Sequence, residues 1–309
     1  MSKVAFVFPG QGSQQIGMLS DLAAVYPIIG ETISEASDVL GYDMSALIND
    51  GPVEALNSTE KTQPALLTAS VALYRLWNSL SDISPALMAG HSLGEYSALV
   101  AAGVISFADA VKLVELRGQY MQQAVPAGEG LMAAILGLDD DKVVEVCAQA
   151  AEGDVVSAVN FNTTGQVVIA GQKAAVERAM VALKEAGAKR TMPLNVSVPS
   201  HCALMKPAAE KLAEQLNNIE FSVPSCPIVQ NRVATAVVDL DSIRANLLEQ
   251  LYMPVLWTNS VAFMAEQGIN EIIECGPGKV LSGLNKRIAK DVVHTAIGSL
   301  SAFQERVGN

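Results

Sequence analysis

Apolar positions along the chain fall into two rhythms. Short unbroken apolar runs, at residues 4–8 and 86–90, have strand length and no polar alternation, which predicts strands buried on both faces of a sheet. Between them, apolar residues three and four apart predict helices over most of residues 19–80. Breaks fall at Gly41-Tyr42-Asp43 and Asn49-Asp50-Gly51-Pro52, and an apolar helix is expected at 65–80, after Thr62-Gln63-Pro64. A helix over 94–102 is expected to close at Gly103, and a further helix over 107–123 carries Ala110, Leu113, Val114, Arg117 and Met121 on one face.

After Pro126-Ala127-Gly128-Glu129-Gly130 the rhythm changes. Strands are predicted at 131–138, 155–160, 166–170 and 189–196, with helices at 139–151 and 173–186 and a turn at Asn162-Thr163-Thr164-Gly165. That order, βαββαβ, is the ferredoxin-like pattern, an inserted unit of about seventy residues able to hold its own core. A strand near 227–230, helices at 240–252 and 257–267, a strand at 271–275 and a last helix opened by Gly276-Pro277-Gly278 complete the reading. The fold class expected is α/β, with a mostly parallel sheet. Its domains are 1–127 with 198–309, a discontinuous large domain, and 128–197, the small one.

Composition narrows the function classes. Half of the 309 residues are apolar, which argues for a large packed core and against disorder. The net charge of -12 argues against nucleic acid and anionic membranes as partners. The opening residues enter a strand pattern and no long uncharged apolar run follows, so neither a signal peptide nor a membrane span is expected, and the location expected is cytoplasmic. Cys147, Cys202, Cys226 and Cys275 form no C-x-x-C pair, which suits reduced thiols, and no metal site is expected.

The candidate chemistry starts at Gly90-His91-Ser92-Leu93-Gly94, a G-x-S-x-G pattern between a predicted strand and a predicted helix. A serine on such a turn has its Oγ thrust out at the top of the sheet. The N–H of Leu93, at the helix start, points where an attacked carbonyl oxygen would develop charge. The plainer reading is a glycine-flanked turn whose serine caps the helix. Phe8-Pro9-Gly10-Gln11-Gly12-Ser13-Gln14 fails the dinucleotide pattern, since Gln15 stands where the third glycine belongs, and lacks a P-loop lysine. It remains either a ligand loop at a strand's carboxyl end, with Gln11 offering donors, or an ordinary turn. Arg117 lies on a face that should be buried, so it needs either a structural acid or an anionic ligand. Of three histidines, His91 adjoins Ser92 on a tight turn and points away, and His294 sits in a strand-like stretch near the end of the sequence. His201, in Pro199-Ser200-His201-Cys202 beside a domain junction, is by elimination the candidate base, the alternative being a structural histidine.

Taken together, Phe8-Pro9-Gly10-Gln11-Gly12-Ser13-Gln14, Thr62-Gln63-Pro64-Ala65, Gly90-His91-Ser92-Leu93-Gly94-Glu95, Arg117, Asn162 with Gly165-Gln166, Ser200-His201 and Glu274-Cys275-Gly276-Pro277-Gly278 resemble the successive motifs of the malonyl-CoA:acyl carrier protein transacylases. The resemblance covers nearly the whole chain and is strongest to the stand-alone bacterial members. It implies an α/β-hydrolase-like large domain with a ferredoxin-like insert and a site between them. Ser92 would be the nucleophile, His201 its base, Gln11 and Leu93 the oxyanion donors, and Arg117 the residue that holds a malonyl carboxylate through a bidentate pair. Gln63, His91 and Asn162 would help bind substrate, and a backbone carbonyl near Gln250 would orient the histidine. Thr164 departs from a proline common in relatives, and Ser200 from a phenylalanine that malonyl-specific polyketide acyltransferases often place before the histidine.

The activity implied is ping-pong transfer of malonyl from coenzyme A, a substrate rather than a cofactor, through a malonyl-serine ester to the phosphopantetheine thiol of acyl carrier protein, for fatty acid biosynthesis. No metal or other cofactor is expected. Lys279, Lys286, Arg287 and Lys290, on or near one side of the last helix, or Lys189 and Arg190, are the candidate docking patch for the acidic carrier, the plainer reading being solvated surface. Two rival functions share these residues: a Ser-His esterase or thioesterase, and a non-catalytic module that binds acyl carriers.

Overall fold

The computed structural model describes residues 3–196 and 198–308. Its larger sheet has six strands in the order β10-β9-β1-β2-β7-β8. These are β1 (Val4–Phe8), β2 (Leu87–Gly90), β7 (Ile228–Val229), β8 (Ala236–Val237), β9 (Glu271–Glu274) and β10 (Val293–Ala296). All neighbours are parallel except β7 and β8. The continuous apolar run of β1 is explained by burial on both sides. Val4, Phe6 and Phe8 pack into the core beneath the Thr59–Leu80 helix, with Phe6 edge-on to Trp77, while Ala5 and Val7 join the opposite core around Trp257. In register, Phe8 lies beside Gly90 and Val7 beside Glu274, so β1, β2 and β9 end along one edge of the sheet, and three loops open there together.

The second sheet is antiparallel, in the order β4-β5-β3-β6, from β3 (Gly130–Leu136), β4 (Val156–Thr163), β5 (Gln166–Gln172) and β6 (Arg190–Pro193). With the Asp140–Ala150 and Lys173–Glu185 helices this is the expected βαββαβ order, and these helices close a separate core over Ile135, Val167 and Ile169. On its other face Met132, Val159, Val168 and Ala170 meet Cys202. A bridge from Asn160 to Val255 ties β4 to the chain leading into the Trp257–Glu266 helix.

The helix opened at Gly276-Pro277-Gly278 is not the last, since a Leu300–Gly308 helix follows it and buries Phe303, and three further details differ from the sequence reading. The helix expected from 65 begins at Thr59 and carries Pro64 inside it. Its apolar packing overrides the rule that helices start after a proline. The Lys206–Leu216 helix was not expected, although Ala208, Ala209, Leu212 and Leu216 have helical spacing and are its buried face. The turn expected over 162–165 shortens to Thr164-Gly165, because β4 runs on to Thr163. Among the described residues no helix is long and apolar enough to cross a membrane, and no cluster of His, Cys, Asp and Glu is placed to hold a metal ion. All four cysteines are buried and free.

Candidate active site

Ser92 is the residue that leaves β2 and enters the Gly94–Ala101 helix, and it holds a left-handed backbone with φ 52°. The two flanking glycines make that turn possible. A Cβ on Gly90 would sit 1.9 Å from the carbonyl carbon of Gly94, and one on Gly94 would sit 2.0 Å from the carbonyl oxygen of Phe8. Strain at Ser92 is held by its surroundings. Its N–H donates to Asn231 Oδ1 at 2.7 Å, and Asn231 Nδ2 donates to the Gly90 carbonyl at 2.6 Å. Asn231 is in turn fixed by Glu95, whose carboxylate accepts from the Asn231 N–H at 2.7 Å and from Gln230 Nε2 at 3.1 Å. Glu95 is wholly buried, and burial pushes its carboxyl up to about 7 against the pull of these donors and of the Arg117 charge.

His201 arrives from 109 residues away, and its Nε2 lies 2.8 Å from Ser92 Oγ. Its Nδ1 lies 2.6 Å from the Gln250 carbonyl oxygen. A carbonyl only accepts, so Nδ1 carries the hydrogen and Nε2 presents a lone pair to the serine. That carbonyl is available because Gln250 caps the Leu240–Glu249 helix, whose last carbonyls have no partners within the helix and bear partial negative charge. The His201 N–H also donates to the Leu251 carbonyl at 2.9 Å, which fixes the ring's base. Burial, and next the Arg117 charge, push the imidazole down to about 3, so it is neutral at ordinary pH.

Arg117 is 1% exposed. Its Nη1 donates to Gln63 Oε1 at 2.7 Å, and its Nη2 donates to Gln250 Oε1 at 3.0 Å and, at 3.4 Å, to Ser92 Oγ. Tyr96 lies under it with the guanidinium carbon 5.3 Å from the ring centroid. Among the described residues no carboxylate pairs with it within 4.0 Å, so a buried cation beside the serine is held only by neutral acceptors. Of the two readings left open by the sequence, an internal ion pair is absent among those residues, and the guanidinium can take an anion from the cleft.

The cleft itself runs between the two sheets. Gln11, His91, Ser92, Leu93, Arg117 and His201 line it on one side, and Met132 and Asn160 on the other. The N–H groups of Leu93 and Gln11 have no acceptor among the described residues, and both residues border the Ser92 hydroxyl's side of the cleft. His91 Nε2 and Asn162 Oδ1 are 2.8 Å apart, which places the hydrogen on Nε2 and holds the ring edge-on to Trp257. Gln63 and Asn162 do not line the cleft. They stand behind Arg117 and His91. The basic residues Lys279, Lys286, Arg287, Lys290, Lys189 and Arg190 are all exposed and outside it. Asn231 and Glu95 were not singled out from the sequence as site residues. Asn231 follows β7 with no motif of its own, and Glu95 was visible only as the last letter of the elbow motif.

An alcohol bonded to a neutral, oriented imidazole, with unpartnered N–H groups beside it, is an arrangement suited to carrying an acyl group on serine. The family described as acyl transferase domain matches residues 5–297, and the chain belongs to it. Within that family it groups with the malonyl CoA-acyl carrier protein transacylases. It is 62% identical to that protein of Escherichia coli K12 over 303 residues, 98% of each chain, and 45% identical to that of Staphylococcus aureus MRSA252 over 301 residues, 97% of each. Among solved structures, an acyl carrier protein S-malonyltransferase from Vibrio cholerae superposes with TM-score 0.97 at 59% identity, covering 99% of this chain and 100% of the other. A malonyl-transacylase in complex with a type II PKS acyl-carrier protein superposes with TM-score 0.98 at 55% identity, over 100% of both chains.

Proposed function

We propose that this chain transfers the malonyl group from malonyl-CoA to the phosphopantetheine thiol of acyl carrier protein, in fatty acid biosynthesis, through an ester on Ser92. The observation that carries this reading is a single contact set: Ser92 Oγ at 2.8 Å from His201 Nε2 and at 3.4 Å from an Arg117 that has no acidic partner among the described residues. Ser92 Oγ attacks the thioester carbonyl while its proton passes to His201 Nε2. The oxyanion is met by the N–H groups of Leu93 and Gln11, and collapse of the adduct expels the coenzyme A thiolate, which takes the proton back from His201. The carrier's thiol then gives its proton to His201 and attacks the malonyl-serine ester, and the departing Ser92 oxygen takes that proton back, which regenerates the serine.

In this scheme Arg117 grips the free malonyl carboxylate, and Gln63 and Gln250 hold the guanidinium flat for a bidentate pair. His91 serves as one wall of the binding site, and Asn162 behind it fixes its ring. Coenzyme A is a substrate, and no metal or other cofactor takes part. The cleft lies between a large unit, 1–127 with 198–309, and a small one, 128–197. For the acidic carrier we infer a docking band. Arg287 Nη1 donates to Gln166 Oε1 at 2.8 Å, Gln166 pairs with Leu136, and Leu136 with Arg190, so the Lys286-Arg287 and Lys189-Arg190 pairs meet across one end of the small sheet.

Intact-mass measurement after mixing with malonyl-CoA is expected to show a gain of one malonyl group, discharged on adding holo-carrier. The Ser92→Ala chain is expected to lose the adduct by at least about a thousandfold. A persistent adduct in that variant would refute Ser92, and release of free malonate faster than transfer would favour a thioesterase. In the same assay, Arg287→Glu with Arg190→Glu is expected to slow discharge to the carrier more than loading from malonyl-CoA; equal slowing would remove the docking band.

A further inference from the structure

Arg117 is the one buried lysine or arginine among the described residues, and no acid touches it. Three carboxyl groups are buried among the same residues. Glu271 pairs with Arg306 at 2.7 Å, Glu274 caps the Val280–Ile288 helix, and Glu95 accepts from neutral amides, the Asn231 N–H at 2.7 Å and Gln230 Nε2 at 3.1 Å. One buried cation and one buried acid are thus each left without an ionic contact, a costly state for either unless the other is near. Gln250 joins them. Its Oε1 accepts from Arg117 Nη2 at 3.0 Å, and its side chain also acts on the Glu95 carboxyl.

The two charges feel each other. Burial pushes the Glu95 carboxyl up to about 7, and after the donors of Asn231, Gln230 and Gln250 it is the Arg117 charge that pulls it back. The other groups packed around them are neutral. Tyr96, next to Glu95 on the Gly94–Ala101 helix, is pushed up to about 12 by burial, and His201 is pushed down to about 3. The chain after β7 and the end of the Leu240–Glu249 helix present the amides of Gln230, Asn231 and Gln250. Arg117 is therefore the charge to which Glu95 answers.

A malonyl carboxylate on Arg117 adds a second anion to an interior that holds one cation. One of the two must be neutralised, because an uncompensated buried carboxylate takes a proton rather than stay charged. The malonyl carboxylate, gripped by the guanidinium fork, keeps its charge. Resting on the function proposed above, we propose that Glu95 is the resident counter-charge of Arg117 and takes a proton from solvent when the malonyl carboxylate takes over that cation. The carboxylate becomes a carboxylic acid and no bond between heavy atoms changes. That proton returns to solvent when malonyl leaves for the carrier. An acetyl group, which brings no charge, leaves Glu95 as it was.

The test counts protons. Malonyl-CoA is added to the full chain in weak buffer with a pH indicator, and the protons taken up are divided by the adducts found by intact mass. At pH 7.5 the unmutated chain is expected to take up about half a proton or more per malonyl adduct, since losing the pull of one opposite charge raises a carboxyl by about one to two pKa units. The uptake is expected to fade by pH 5.5, where Glu95 is already protonated in the empty chain. It is expected to be absent in Glu95→Gln and in the acetyl adduct of the unmutated chain, and the released coenzyme A thiol contributes equally to every comparison at one pH. Uptake that is missing at pH 7.5, that persists in Glu95→Gln or with acetyl, or that is as large at pH 5.5 would overturn the proposal. The comparison of the two pH values needs no variant. Absence of any malonyl adduct in the unmutated chain would instead overturn the function on which it rests.

Discussion

Two strand-glycine-helix turns stand on either side of β1, one after β2 and one after β9, and they end differently. After β9, Glu274 folds its own carboxylate back onto the Val280–Ile288 helix, accepting from the Leu281 N–H at 3.0 Å and the Ser282 N–H at 2.7 Å. That helix start is filled by the chain, and the carboxylate complements its dipole. After β2 no acid fills the helix start. Glu95, inside the helix, bonds away from the cleft to Gln230 and Asn231, and the N–H of Leu93 is left facing the cleft next to Ser92. The same local grammar therefore gives a closed structural joint in one place and a site for incoming negative charge in the other. The deciding factor is whether the chain itself supplies the anion.

The open turn is sharpened most by its cation. Removing the guanidinium in Arg117→Ala is expected to lower the preference for malonyl over acetyl thioesters by about ten- to a hundredfold, the worth of a charge-assisted pair. Arg117→Lys keeps the charge but loses the fork, so it should recover only part of that preference. The check is acylation of Ser92 by the two thioesters in competition, and a constant ratio would return Arg117 to a structural role.

The closed turn breaks in the other currency, stability. Glu274→Ala leaves two buried helix N–H groups uncapped and is expected to cost about 2 kcal/mol. Thermal unfolding should shift down by a few degrees, while the extent of malonyl adduct stays the same. Loss of the adduct in step with stability would mean that the two turns are not independent.

The smallest effect concerns proton supply at the open turn. With the imidazole of His201 pushed down to about 3, the base stays neutral as pH falls past 6.5, the ordinary histidine value. As far as His201 sets it, acylation by malonyl-CoA should therefore run nearly flat from pH 8 to about pH 5 and decline only when protonation of Nε2 begins below that range. Glu95, pushed up to about 7 beneath the elbow, also titrates in this range, so the check is made in Glu95→Gln, where a rate that still halves near pH 6.5 would contradict the buried, carbonyl-oriented histidine described above.

The two turns also mark how far the sequence could be read. Ser92 was legible because a nucleophile elbow is a local object: glycines two residues away on each side, a strand before and a helix after, are all that its geometry requires. The βαββαβ order of the small unit was legible for the same reason, through period and turn residues. His201 emerged only by elimination among three histidines. The closed state of the second turn was not anticipated, since Glu274 in the sequence is simply an acid at the end of a strand.

What the chain's own order of residues determined, then, was each segment's conformation and the chemical types on offer: an exposed alcohol, an imidazole, a guanidinium on an apolar face. Tertiary structure alone decided which of them meet. It brought His201 across 109 residues to Ser92, and it put Asn231 and Glu95 under the elbow and Asn160 on the opposite wall. The physical reason is that these roles fall to generic groups. Every residue has a carbonyl like that of Gln250, and any asparagine can accept a hydrogen bond, so only position in space, set by sheet order and a helix end, distinguishes the ones that serve the site.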